Sequence, residues 1–177
     1  MASTIFSSVD YELVIKKSRF IACIQPVADR ASAQAVVQQL WAQHPDATHI
    51  CWALLAGGQS AAVDDGEPSG TAGRPMLEVL RHHDLEGVLA TVVRYFGGVK
   101  LGAGGLVRAY TDAVAQALQR AEKVPLRRLC TQQCAVPYAM EGWMRRQLEQ
   151  SAAVLLAVEH QTQVKMQWQI AEDAMQS

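Results

Sequence analysis

The chain has 177 residues, half of them hydrophobic, and its 16 lysines and arginines against 17 aspartates and glutamates give a net charge of −1. This length suits one large or two small domains, and the balanced charge excludes a protein that is basic as a whole. No apolar run is long enough to span a membrane and no signal-peptide pattern opens the chain, so we expect a cytoplasmic protein without membrane association. The four cysteines include no C-x-x-C pair, which favours small buried side chains over a zinc site.

The first part of the chain predicts a hairpin followed by a helix. Two β-rich runs, 11–15 and 20–27, are joined through the short charged stretch 16–18, which predicts a turn. Asp29 can cap a helix whose apolar residues recur at helical spacing, and Pro45 ends it.

A further strand, predicted over 48–55, places His49 and Cys51 on one face. A histidine and a cysteine together suggest a thiol nucleophile with its base. Side chains two residues apart on a strand are nearly 7 Å apart at about 3.3 Å of rise per residue, so packing is the favoured interpretation.

Two glycine-rich stretches, 64–75 and 97–105, hold eight of the twelve glycines and flank one apolar segment, 87–96. That segment is β-branched and aromatic, which predicts a strand covered on both faces. Apolar residues then recur at helical spacing to Ala121, which predicts a helix beginning near Leu106. Because glycine is unfavourable inside packed elements, we expect the two stretches to be loops that form the functional site.

The second loop favours binding of an anion. A helix that follows a loop begins with unpaired backbone N–H groups and a partial positive charge, which together can hold a phosphate or carboxylate. Lys100, Arg94 and Arg108 would strengthen this preference. The loop fits neither the dinucleotide-binding pattern nor the P-loop, so a purely structural tight turn remains an equal alternative.

The first loop carries three carboxylates, Asp64, Asp65 and Glu67. Carboxylate oxygens could bind a hard cation such as Mg²⁺. They could also accept hydrogen bonds in turns and at a helix start, which we consider the better interpretation.

These motifs resemble the IMPACT family, in its bacterial YigZ-like branch. The resemblance rests on DDGEPSGTAGRP at 64–75 and on VVRYFGGVKLGAGGLVRAY at 92–110. KKSRFI at 16–21 and HICWA at 49–53 agree with it. It covers residues 5–125 strongly and the remainder weakly, and it implies an α+β protein of two domains.

The resemblance implies a first domain, 1–125, of the β-α-β fold shared with a ribosomal protein and domain IV of elongation factor G. The second, 126–177, would be ferredoxin-like, similar to domain V of that factor. Its sequence predicts a strand at 129–136, a helix at 138–150 and a hairpin of 152–160 with 163–170. This β-α-β-β order lacks one helix and one strand of the complete fold, so we expect a truncated or abbreviated domain with an uncovered sheet edge.

The resemblance also implies a function in translation, since eukaryotic members interfere with activation of a kinase that phosphorylates an initiation factor. We therefore expect a regulatory or binding protein that contacts RNA or the ribosome through the basic glycine-rich loop, with a protein partner in translation control as an alternative. The predicted nucleic-acid or phosphate contacts are Arg74, Arg94, Gly97, Gly98, Lys100, Gly102, Gly104, Gly105 and Arg108. The predicted supporting residues of the first loop are Asp64, Asp65, Glu67, Ser69 and Thr71.

An enzymatic alternative stays open at this point. A phosphotransferase or hydrolase could hold phosphate on the second loop and Mg²⁺ on the first. No clear nucleophile, general base or nucleotide motif accompanies the loops, so we expect no catalytic residue, metal ligand or cofactor.

Overall fold

The computed structural model describes residues 2–126 and 129–171 and shows a mixed α+β protein. Contacts divide the chain into two compact units, Met1–Leu126 and Arg127–Ser177. No helix in the described ranges is both long and apolar enough to cross a membrane.

The described residues of the first unit, 2–126, form seven strands and three helices. They are β1 Ser3–Ile5, β2 Val9–Ile15, β3 Ser18–Pro26, α1 Arg30–Gln43, β4 His49–Ala56, β5 Gln59–Val63, α2 Gly73–His82, β6 Val88–Tyr95, α3 Gly102–Leu118 and β7 Lys123–Pro125. Five strands form one sheet in the order β2-β3-β6-β4-β5, with every neighbouring pair antiparallel.

This sheet is covered on both faces, which explains the continuous apolar run of β6. Helices α2 and α3 bury one face in the main core, around Phe20, Met76 and Tyr110. Helix α1 packs through Ala33 against Trp52 on the other face. All of β6 up to its last residue is buried, as expected for the central strand of a three-layer unit.

Several predicted elements are confirmed. Residues 9–26 form the hairpin, and the side chain of Asp29 accepts a hydrogen bond from the Ser32 N–H at the start of α1. The strand-loop-helix order around β6 is also as predicted.

One prediction near α3 is wrong, and one pair of short strands was not predicted. The helix begins at Gly102 and ends at Leu118, so Gly102, Gly104 and Gly105 belong to its first turn instead of the loop. Residues 123–125, which follow this helix, form β7, which pairs with β1 in a separate two-stranded sheet. Three-residue strands of this kind carry no periodic signal, because alternation needs more residues to be recognised.

The second unit follows the predicted order along the chain. It consists of β8 Leu129–Val136, a 3₁₀ turn Tyr138–Met140, α4 Glu141–Gln150, β9 Val154–His160 and β10 Val164–Ala171. The antiparallel sheet has the order β8-β10-β9, and Leu148 of α4 shares a core with Met166 and Trp168 of β10. Its assignment to the ferredoxin-like fold stays a prediction.

Candidate functional site

The two glycine-rich stretches meet in space at one end of the large sheet. Between them lies a cleft of about 440 Å³. The first stretch contributes Gly66 and Glu67, and the second contributes Lys100 and Gly102. Because β4 and β6 are neighbours, His49 at the start of β4 lies opposite Arg94 near the end of β6 and also lines the cleft.

Asp64 organises the first loop and the start of α2. Its carboxylate accepts hydrogen bonds from the backbone N–H groups of Gly70, Ala72 and Gly73, at 2.9, 3.1 and 2.9 Å. Ala72 and Gly73 stand at the start of α2, where backbone N–H groups lack intrahelical partners. Both carboxylate oxygens of Asp64 therefore accept hydrogen bonds in the loop and at the start of α2, which is the interpretation preferred from the sequence.

Asp65 and Gly66 turn the chain back toward β4. Both have positive φ, +45° and +83°. The Asp65 carboxylate accepts from the Ile50 N–H at 2.8 Å, and its carbonyl lies 2.7 Å from Nδ1 of His49. The loop is thus tied to the strand that carries His49.

Glu67 is the buried anion of the site. Its Oε1 accepts from the guanidinium of Arg94 at 2.5 Å and from the hydroxyl of Tyr110 at 2.9 Å, while Nε2 of His49 lies 3.6 Å away. The Glu67 and Arg94 side chains are only 3% and 6% exposed. Each compensates the other's charge, without which burial would be very costly.

Ser18 and Gly97 fix the second loop against the hairpin β2–β3. The buried Ser18 hydroxyl accepts from the Gly97 N–H at 3.1 Å. A Cβ on Gly97 would lie 2.0 Å from the carbonyl carbon of Lys17, so only glycine permits this approach of the two backbones.

The start of α3 is uncapped, in contrast to that of α2. Leu101 occupies the N-cap position, and among the described residues no side chain accepts a hydrogen bond there. Lys100 precedes it and is exposed. Unpaired N–H groups, the partial charge of the helix and a lysine therefore meet at the mouth of the cleft, an arrangement that suits an anion.

Cys51 does not have the properties of a nucleophile. Burial raises the pKa of its thiol to about 12, with the nearby carboxylates of Glu67, Asp65 and Asp64 adding to the rise. The thiol donates to the carbonyl of Asp64 at 2.9 Å. The thiol is therefore fully protonated at neutral pH and serves to hold the loop.

The three carboxylates of the first loop are already engaged with protein donors. Backbone N–H groups occupy Asp64 and Asp65, and Arg94 with Tyr110 occupies Glu67. Within the described part of the chain, no group of three or more His, Cys, Asp or Glu residues is placed to hold a metal ion. The arrangement does not favour the Mg²⁺ interpretation.

The predicted contact residues fall into different environments. Arg94 is 5% exposed and acts as an internal cation, whereas Lys100, Gly98, Gly102 and Arg108 are exposed. Arg74 is exposed on α2, where it lines a separate groove between α2 and α3.

Two supporting residues of the first loop also differ from each other. Thr71 is buried and donates to the carbonyl of Pro68, whereas Ser69 is exposed. Thr71 therefore closes a turn.

Sequence reasoning missed two members of the buried network. Tyr110 was assigned only to the apolar stripe of α3, yet its hydroxyl contacts Glu67, and burial raises its pKa far above the ordinary value. Ser18 was assigned only to a turn. A polar group within an apolar stripe is a signal for Tyr110, because a buried hydroxyl requires a partner.

Comparison with known proteins identifies the family. The model of the Impact N-terminal domain matches residues 16–118, which include every strand and helix that forms the cleft. The chain belongs to the IMPACT family.

IMPACT family members from several bacteria are similar to this chain. YvyE of Bacillus subtilis strain 168 is 38% identical over 172 residues, which are 96% of this chain and 79% of YvyE. YigZ of Escherichia coli K12 is 48% identical over 111 residues, which are 60% of this chain and 54% of YigZ. The chain therefore matches little more than half the length of YigZ.

A solved structure supports the fold over most of the chain. The crystal structure of a hypothetical protein, 37% identical, has a TM-score of 0.69 and covers 96% of this chain and 86% of its own. The family model ends at 118, within the first unit, so the second unit lies outside it.

Proposed function

We propose that this IMPACT family protein regulates translation by binding RNA or the ribosome through the mouth of the cleft. The translation link is motivated by the family, and the contact surface by the structure. One observation carries the surface assignment: the start of α3 has no side-chain cap and opens beside the exposed Lys100. Phosphate groups match both features, since they accept hydrogen bonds and carry negative charge.

The contact set is smaller than the sequence prediction. Lys100 and the first turn of α3 contact phosphate, and Arg108, exposed two turns along the same helix, extends the contact. Arg94 is a positioning residue, because its guanidinium holds Glu67 inside the unit. Arg74 is not part of this surface.

The enzymatic alternative is the weaker one on chemical grounds. The carboxylates expected to bind Mg²⁺ accept hydrogen bonds from the protein itself, and the Cys51 thiol stays protonated. A folded chain that turned over a nucleotide in a saturable, Mg²⁺-dependent way would reverse this ranking.

Co-sedimentation with ribosomes and with purified ribosomal RNA across a salt series tests the proposal. We expect binding that weakens steeply with salt and is strongly reduced by Lys100→Glu, because phosphate contacts release counterions. Arg30→Glu is the matched control. It makes the same charge reversal at the start of α1. Because β3 begins at Ser18 beside the cleft and ends at Pro26, shortly before α1, Arg30 lies near the opposite end of the sheet.

Three outcomes would contradict the proposal. Absence of binding at every salt concentration removes RNA and the ribosome as ligands. If Lys100→Glu and Arg30→Glu lose the same amount of binding, the contact lies elsewhere or binding depends only on the net charge of the protein. Binding that is insensitive to salt indicates an apolar protein contact instead.

A further inference from the structure

An exposed aromatic residue lies on the lip of the cleft. Phe96, the first residue after β6, is 48% exposed and lines the cleft together with Lys100. Its backbone N–H donates to the Thr48 hydroxyl at 3.0 Å, which fixes its position. The guanidinium carbon of Arg94 lies 5.6 Å from its ring centroid, so the ring rests on a buried cation. A fixed, exposed ring of this kind can stack with a nucleobase.

Two further lysines lie beside the second loop. Lys16 and Lys17 form the turn between β2 and β3, whose backbone is contacted by that of Gly97. Both are exposed, and neither pairs with a carboxylate among the described residues.

The backbone at these lysines has a conformation that lysine does not favour. Lys16 and Lys17 have φ of +46° and +66°. Two-residue turns with positive φ at both positions favour Asn-Gly, because the left-handed region is costly for other side chains. Lysine at both positions therefore lowers the stability of the turn, and it places two cations at the turn that Gly97 of the second loop approaches.

We propose that this surface, formed by Lys16, Lys17, Phe96 and Lys100, binds single-stranded RNA. Phe96 stacks on an unpaired base, and the three lysines contact the phosphates on either side. A single strand is required because a duplex hides the faces of its bases, whereas an unpaired base offers one to an aromatic ring. This inference rests on the proposed function, since it refines the ligand of the same cleft.

Fluorescence anisotropy on the full chain tests the inference. The probes are a labelled oligouridylate of about twelve nucleotides, within the usual site size for single strands, and an RNA duplex of the same length. We expect the single strand to bind more tightly. Phe96→Leu keeps an apolar side chain but removes the ring, and it should weaken single-strand binding about five-fold or more, while Phe96→Trp should retain it.

The lysines are tested without weakening the turn. Lys16→Asn with Lys17→Gly removes both charges and installs the preferred turn residues, so lost binding cannot be attributed to unfolding. We expect the salt slope of binding to fall by about 1.4, or about 0.7 for each lost phosphate contact. Arg30→Gln removes one exposed charge at the start of α1 and should leave the slope almost unchanged.

The outcomes separate this inference from the proposed function. If Lys100→Glu abolishes RNA binding while the Phe96 and turn variants bind like the unaltered chain, the cleft binds RNA and the single-strand inference is overturned. Equal affinity for duplex and single strand, unaffected by Phe96→Leu, also overturns it. If the unaltered chain binds neither probe nor ribosomes, both fail together.

Discussion

Glu67 and Arg94 form a buried ion pair on which the packing of the first loop against β6 depends. Replacing Glu67 with Gln keeps the size of the side chain but leaves Arg94 without a counter-charge. The Nε of Arg94 already lacks a hydrogen-bond partner among the described residues, and its Nη2 reaches the Ser18 hydroxyl only at 3.4 Å. The guanidinium would therefore be buried with few compensating contacts.

The expected cost follows from this burial. Breaking a buried pair by removing one partner usually costs about 3–5 kcal/mol. Gln can still accept a hydrogen bond from Arg94 or Tyr110, so we expect the lower end, about 3 kcal/mol of unfolding free energy. Glu78→Gln is the control, because Glu78 is exposed on α2 and its pair with Arg81 is at 3.7 Å, and it should cost less than about 0.5 kcal/mol.

Urea unfolding followed by tryptophan fluorescence measures this cost. The background carries Trp143→Phe and Trp168→Phe, which leaves Trp41 and Trp52 as reporters of the first unit. A cost for Glu67→Gln no larger than that of Glu78→Gln would refute the argument.

A double-mutant cycle tests the coupling directly. Arg94→Met and Glu67→Leu each leave one buried charge, whereas the double variant leaves none. The double variant should therefore be more stable than the sum of the two single losses indicates, by about 2 kcal/mol or more. Simple additivity would show that the two charges do not compensate each other.

Three further predictions concern the loops. Gly97→Ala should destabilise the first unit by about 1–3 kcal/mol in urea because its Cβ would collide with the β2–β3 turn. Gly104→Ala should not, because its Cβ would meet only the flexible guanidinium of Arg108, at 3.6 Å. Asp64→Ala should cost about 2 kcal/mol through loss of a three-donor cap, against almost nothing for the exposed Asp46→Ala, and equal thermal midpoints would contradict this. Burial raises the pKa of the Cys51 thiol from 9.0 to about 12, so the folded state retains a proton that the unfolded state loses, and stability should fall as pH rises from 9 to 12. Urea titrations at several pH values should show this fall of the unfolding free energy with pH, and a smaller fall in Cys51→Ala. Mass spectrometry should show that iodoacetamide does not modify Cys51 at pH 9 until the chain unfolds.

Local sequence was sufficient where a pattern extended over enough residues. The β-rich runs of β3 and β4, the continuous apolar and β-branched run of β6 and the helical spacing in α1 predicted the type of each element, because each pattern extends over most of its element. The same holds for the order of elements in the second unit. Short elements such as β1 and β7 were missed because their pairing with each other, and not their residues, makes them strands.

The site shows the same division. Glycine density and the IMPACT motifs located both loops, since glycine marks backbone that turns sharply or approaches another chain segment. The sequence could not decide which charges are free. From the sequence, Arg94 and Lys100 are equally good candidates for exposed cations. In the structure, β6 places Arg94 in the interior beside Glu67, whereas Lys100 in the loop is exposed.

The sequence by itself determined the family, the order of the longer elements and the position of the two loops, because each depends on residues that are close along the chain. Only the tertiary structure decided that the loops meet, that Asp64 caps α2 while α3 is left uncapped, and that Arg94 is paired internally. These properties depend on residues as far apart as Ser18 and Gly97, which the pairing of β3 with β6 brings together. The charge available to a ligand is what remains after such long-range pairs have formed.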